Sequence, residues 1–142
     1  MRANLEEPPT YRVSPNGRHL AVYVQPTGTY NATNYLDNLG RVAAIFIPAV
    51  FDRWTGVQSF DVCQEPLPTI DASPEPPPVT ELTVTRSGAH HIRWRGITLA
   101  DLIDLATPRN GRRRIKTRDF GLYLNDEMRA QLAYQAAIAS RP

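Results

Sequence analysis

Arg41-Val-Ala-Ala-Ile-Phe-Ile-Pro-Ala-Val-Phe51 is the stretch on which the fold turns. It is the longest nearly continuous apolar run in the chain, with β-branched and aromatic members, and it reads as a strand. Pro48 has no N–H to give a ladder. The strand therefore lies at an edge, carries a bulge, or divides into two short strands at the proline. On its C-terminal side Asp52-Arg-Trp-Thr-Gly56 reads as a turn and Val57-Gln-Ser-Phe-Asp-Val-Cys63 as a half-buried return strand. On its N-terminal side Pro26 to Asn38, rich in Gly, Thr and Asn, reads as a long loop or as one short helical turn around Tyr35 to Leu39. Farther out, Tyr11-Arg-Val13 and His19-Leu-Ala-Val-Tyr-Val24 flank Ser14-Pro-Asn-Gly17. There proline presets φ and Asn-Gly tolerates positive φ, which is a hairpin signal. Residues 1–10, polar and with Pro8-Pro9, read as a loose arm.

Downstream, residues 64–79 hold six prolines, including Pro76-Pro-Pro78. Such a strap favours extended polyproline backbone and connects the two parts of one domain, residues 11–142; its other reading is a ligand for a proline-recognition domain. Glu81 to Thr85 and His90 to Arg95, separated by Arg86-Ser-Gly-Ala89, read as a second hairpin. Thr98 with Asp101 approximates a capping box for a helix over 98–106, closed by Pro108 and Gly111. Phe120, Leu122 and Leu124 at period two suggest a short strand. Residues 125–140 form a second helix, with Asn125 as cap and Met128, Leu132, Ala136 and Ala139 as its apolar stripe. The expected fold is α+β, an antiparallel meander of five to seven strands with both helices packed on one face.

Residues 11–63 resemble a single blade of a β-propeller of the TolB or WD-repeat kind. The likeness rests on Ser14-Pro-Asn-Gly-Arg18 before the Leu20 to Val24 strand and on Asp52-Arg-Trp-Thr-Gly56 after Ala49-Val-Phe51. It implies a meander of antiparallel strands and transfers no functional residue, because a propeller needs about four to eight blades.

The 142 residues are enough for one self-sufficient core. Cys63 is the only cysteine, so no intrachain disulfide exists. Sixteen basic against 14 acidic residues is too balanced for a disordered polyelectrolyte. The charge is uneven, however: residues 1–71 carry 5 Arg against 7 acids, and residues 72–142 carry 11 basic residues against 7 acids. No apolar run approaches the roughly 20 residues of a membrane crossing, and Met1 to Pro9 begins no apolar region of the signal-peptide kind, so the expected compartment is the cytoplasm.

Chemistry-bearing residues are sparse. His90 and His91, adjacent on an expected strand, would point to opposite faces and cannot share a metal. Cys63 reads as a small buried hydrophobe before it reads as a nucleophile. Asp101 and Asp104, three apart on the Thr98 helix, form a possible carboxylate pair, with cap and solvent roles as the plainer explanation. The glycines are scattered among turns and build no phosphate loop. No catalytic residue, metal ligand or cofactor is expected. What stands out is Arg109-Asn-Gly-Arg-Arg-Arg-Ile-Lys-Thr-Arg118, with six basic residues in ten. Three readings compete for it: a contact for an acidic protein, a contact for nucleic-acid phosphates with Arg93, Trp94 and Arg95 adding charge and a stacking ring, or a solvated loop that neutralises a helix end. The expected function is a small non-enzymatic protein-protein binding module, of the adaptor or immunity-partner kind. Its contact residues are Arg109, Arg112, Arg113, Arg114, Lys116 and Arg118 with Arg93, Trp94 and Arg95. A nucleic-acid-binding accessory protein using the same loop with Trp94 is the alternative.

Overall fold

The structure, a computed structural model, describes residues 9–25, 32–66, 78–108, 110–112 and 114–139. The expected arm, apart from its last two residues, and most of the proline strap lie outside the described residues. In chain order the elements are β1 (Thr10–Val13), β2 (His19–Val24), α1 (Ala32–Arg53), β3 (Ser59–Gln64), β4 (Thr80–Thr85), α2 (Arg86–Ala89), α3 (Leu99–Ala106), β5 (Phe120–Leu124) and α4 (Asp126–Ala139). The fold is α+β, as expected. The five strands form one sheet in the order β1-β2-β3-β4-β5.

The apolar run at 41–51 is helical, which corrects the strand expected there; α1 also takes in residues 32–38 of the loop expected before it, whose residues 26–31 lie outside the described residues. Tyr35, Leu36, Leu39, Val42, Ala43, Phe46, Ile47 and Val50 recur every three to four residues and are all buried, while Asp37, Arg41 and Asp52 face solvent. That is the period of a helix with one face in the core. Pro48 lies inside α1 and removes one backbone hydrogen bond, a loss of about 3 kcal/mol. Burial of large apolar side chains, at about 1.5–3 kcal/mol each, outweighs it several times over.

With α1 in place the sheet is mixed and the all-antiparallel meander is overturned. β1 and β2 form the expected hairpin, with Ser14 Oγ and Asn16 Oδ1 bonding within the turn and Gly17 at φ 72°. β2 then pairs in parallel with β3, from His19↔Ser59 to Val24↔Gln64, because α1 carries the chain back along the sheet before β3 begins. β3–β4 and β4–β5 are antiparallel.

The second expected hairpin is also corrected. Thr85 Oγ1 accepts the Gly88 N–H at 3.0 Å and starts the short α2, the chain winds through His90 to Gly96, and the antiparallel partner of β4 is β5. Gly88 permits this because a Cβ there would lie 2.6 Å from the Asp119 carbonyl oxygen.

Alternate residues of the strands face opposite ways. Leu20, Val22, Val24, Phe60, Val62, Leu82, Val84, Phe120 and Leu124 enter the core with the apolar stripe of α1, joined by Leu102, Leu105, Ile115 and Met128. The capping box at α3 is complete: Thr98 Oγ1 accepts from Asp101 N and Asp101 Oδ2 from Thr98 N. Asn125 Oδ1 accepts from Met128 N at the start of α4. The stripe expected along α4 stops early, since Met128 is buried and Leu132 half-buried but Ala136 and Ala139 are exposed. No helix among the described residues is long and apolar enough to cross a membrane.

Candidate functional site

Two segments far apart in sequence build one basic cleft. After α2 the chain is held by Trp94, whose indole Nε1 donates to the Ala89 carbonyl oxygen at 3.1 Å, and it reverses at Gly96 with φ 74°. Fixing the Trp94 ring inward turns its neighbours outward, and Arg93 and Arg95 are both exposed. From the other side comes the loop after α3, where Asn110 at φ 52° and Gly111 at φ 74° make the turn and buried Ile115 anchors the return. Arg114 beside that anchor joins Arg93, Arg95, His91, Ile92, Gly96, Ile97, Asp101 and Leu105 in lining a cleft of about 310 Å³.

The acids in and beside this cleft are already engaged. Asp101 Oδ2 accepts the Thr98 N–H of the capping box at 3.0 Å. Asp104 Oδ2 accepts from Arg114 Nη1 at 3.0 Å, a bond that holds the Arg114 side chain against α3. Arg93 and Arg95 have no ion-pair partner among the described residues. Asp101 keeps its negative charge in the lining while it caps α3, and Asp104 offsets Arg114, so the excess positive charge of the recess rests on Arg93 and Arg95. The recess is suited to an anion that two or three guanidinium groups can grip in bidentate fashion.

The structure thus gathers Arg93, Arg95 and Arg114 and leaves other expected residues apart. Arg112, Lys116 and Arg118 are exposed on the same loop but do not line the cleft. Arg109 and Arg113 lie outside the described residues. Trp94 is the exception in kind: at 8% exposure, with its N–H satisfied, it is a core side chain and presents no ring for a base to stack on. His91 is a cleft residue that the sequence reading considered only as a metal ligand. Its signal was the alternation of charged and apolar residues from His91 to Arg95.

A second polar cluster lies on the sheet face opposite the core. The parallel register sets His19 beside Ser59, and the His19 ring bridges Ser59 Oγ at 2.6 Å through Nδ1 and Asp61 Oδ2 at 2.8 Å through Nε2. Cys63, Glu81 and Tyr23 lie on the same face by strand alternation. Burial first, then the carboxylates of Glu81, Asp61 and Glu65, push the Cys63 thiol up to about 12. Such a thiol stays protonated near neutral pH and is no nucleophile. With both ring nitrogens of His19 occupied, the trio clasps β2 to β3. Among the described residues no group of three or more His, Cys, Asp or Glu side chains is arranged to hold a metal ion.

Comparison of the chain with known protein families, with curated proteins and with solved structures gives no match.

Proposed function

We propose that this chain is a non-enzymatic protein-protein binding module, of the adaptor or immunity-partner kind, that takes an acidic segment of its partner into the cleft between Arg93, Arg95 and Arg114. The observation that carries the reading is convergence. Three arginines from two distant segments line one recess in which the neighbouring carboxylates are committed to a helix cap and an ion pair. A basic loop that was merely solvated would have no need of a shaped cleft. The remaining basic side chains of the loop, Arg112, Lys116 and Arg118, ring it with positive charge and favour rapid encounter with an acidic surface. The nucleic-acid reading is the weaker of the two, since the ring it relied on at Trp94 is inside the protein. The same reading sets α3 and α4 on the sheet face that α1 covers, in keeping with the single core shared by Leu102, Leu105, Met128 and the α1 stripe. It places the protein in the cytoplasm and requires no cofactor.

The test is a titration of the protein with a Glu-rich peptide and, separately, with a single-stranded oligonucleotide of equal charge, over a range of salt. The peptide is expected to bind more tightly, and the double change Arg93→Glu/Arg95→Glu is expected to weaken it by at least about tenfold, the scale of one lost charged hot spot. Equal weakening by Arg112→Glu/Lys116→Glu, which lie outside the cleft, would reduce the effect to general charge and count against the cleft. Tighter binding of the oligonucleotide would favour the alternative.

A further inference from the structure

A second recess, away from the arginine cleft, is built for an extended chain. Among the described residues β1 is the terminal strand of the sheet, paired with β2 alone. Which of its groups face outward follows from the turn beside it. Ser14 N donates to the His19 carbonyl oxygen at 2.9 Å, so Ser14 and His19 are a hydrogen-bonded pair of the antiparallel ladder. Bonded and non-bonded pairs alternate. Continuing the register, Arg12↔Ala21 and Thr10↔Tyr23 are bonded pairs, and Val13↔Leu20 and Tyr11↔Val22 are not. The backbone N–H and C=O groups of Tyr11 and Val13 therefore point away from β2, toward the open edge. Their side chains point to the same sheet face as Leu20 and Val22, the face that α1 covers.

On that face, directly beneath the open edge, lies a cleft of about 690 Å³ lined by Tyr11, Val13, Leu20, Arg53, Trp54 and Val57 with three small turn residues. Its rim is unusually apolar for a surface: Val13 is 62%, Tyr11 43% and Trp54 41% exposed. The Tyr11 and Trp54 rings meet edge to face at 6.2 Å, and the Arg53 guanidinium lies 5.2 Å over the Trp54 ring. Among the described residues Arg53 is the only charged one in the lining. The turn that carries Arg53 and Trp54 is pinned from behind, because Arg86 donates to the carbonyl oxygens of Phe51, Trp54 and Val57 at 3.0, 2.7 and 2.8 Å. The recess is thus preorganised, and preorganisation reduces the ordering entropy lost on binding.

We infer that this cleft and the β1 edge together form a docking site for an extended peptide segment of a protein partner. The segment pairs with the outward backbone groups of Tyr11 and Val13, inserts apolar side chains at alternate positions into the Tyr11–Trp54 recess, and sets an Asp or Glu against Arg53. Strand addition supplies backbone hydrogen bonds that are indifferent to sequence, and the pocket on one face supplies selection with a period of two. The single positive charge in an otherwise uncharged lining selects an acidic rather than a basic flank.

Panning a random dodecapeptide library on the intact protein tests this. The expected consensus is two apolar residues two positions apart with an acidic residue within reach, and blocking both peptide ends is expected to change nothing because the acid is a side chain. In an amide-resolved NMR titration with the selected peptide, the Tyr11 and Val13 N–H signals should move and become protected from exchange. Val13→Pro removes an outward N–H from an edge strand, where proline is tolerated, and Trp54→Ala empties the recess; each should weaken the peptide by at least about tenfold. Arg53→Glu, an exposed change, should turn the selected flank from acidic to basic. Arg93→Glu/Arg95→Glu should leave this peptide untouched, which separates the site from the arginine cleft. A library that yields no consensus would overturn the inference, as would selected peptides that bind Val13→Pro and Trp54→Ala as well as the parent. Concentration-dependent self-association abolished by Val13→Pro would assign the edge to a second copy of the chain and also overturn it.

Discussion

Two titratable side chains on the sheet face opposite the core make residue-level behaviour testable. Cys63 is only 2% exposed, and its thiol is pushed up to about 12, first by burial and then by Glu81, Asp61 and Glu65. Its native-state alkylation at pH 8 should therefore follow global unfolding. Mass-spectrometric labelling in rising urea should give a single step coincident with loss of helix, and rapid labelling without urea would contradict the burial. Glu81 is raised from its ordinary 4.5 by burial, by the Asp61 charge and by a hydrogen bond to Asp61, with His19 opposing. A folded pKa above the unfolded one means that the protonated form favours the fold. This contribution is complete below pH 4.5 and disappears as the pH rises through the raised folded value. At pH 7 the ionised Glu81 is thus a weak liability. Glu81→Gln should raise stability at pH 7 by about 0.5 kcal/mol or less, since solvent still screens the carboxyl. It should also flatten the fall in stability just above pH 4.5, measured by urea unfolding at several pH values.

At the scale of elements, the end of α1 is the sharpest case. Its last turn leaves carbonyl groups without helical partners. Arg86, brought from the start of α2, bonds to Phe51 and Trp54 there and to Val57 beyond, and its guanidinium stacks 4.9 Å over the Phe51 ring. Arg86→Ala should cost about 2–4 kcal/mol in urea denaturation, from charge-assisted bonds and lost packing. Arg86→Lys should recover little, because one ammonium on a flexible stem cannot span three carbonyls. The same helix explains what was and was not legible in the chain. Local signals were readable: the Ser14-Pro-Asn-Gly17 turn, the Thr98–Asp101 box and the Asn125 cap are each set by residues within a few positions of one another. The 41–51 run alone reads as a strand because Tyr35, Leu36 and Leu39, which start the helical period, lie before it, and because Pro48 argues equally against helix and strand. A strand there hides the parallel pairing of β2 with β3, and with it the meeting of His19 with Ser59 and Asp61. The candidate cleft was legible only in composition. Basic residues near 93–95 and 109–118 were visible, but their convergence depends on the Trp94 anchor and the Gly96 reversal, and the burial of Trp94 follows from tertiary packing alone.

Across the whole molecule, α1 lines one recess and packs behind the segment that builds the other. Its C-terminal end presents Arg53 and Trp54 to the β1 edge. Nearer its middle, Gly40 seats the segment leading into α3, since a Cβ on Gly40 would lie 2.7 Å from the Ile97 carbonyl oxygen and 3.4 Å from backbone atoms of Thr98. The 13 residues from Gly40 to Arg53 correspond to about 20 Å of helix. The two seats are therefore separate in space but share one rigid rod. Gly40→Ala decides whether that rod positions the arginine cleft. Helix propensity favours Ala by about 1 kcal/mol, whereas overpacking against backbone, which cannot rotate aside as a side chain can, opposes it by about 1–3 kcal/mol. The clash should win. The expected result is a modest net loss of stability, with movement of the Gly96–Thr98 segment and hence of Arg93 and Arg95. In amide spectra the signals of residues 91–98 and Arg114 should shift while those of Tyr11, Val13 and Trp54 stay in place, because the strain enters about 20 Å along the helix from its C-terminal end, which the Arg86 clamp holds. Shifts in both sets would mean that α1 moves as a body and that the two recesses are mechanically coupled. No shift at residues 91–98 would mean that the Gly40 seat does not set the cleft geometry.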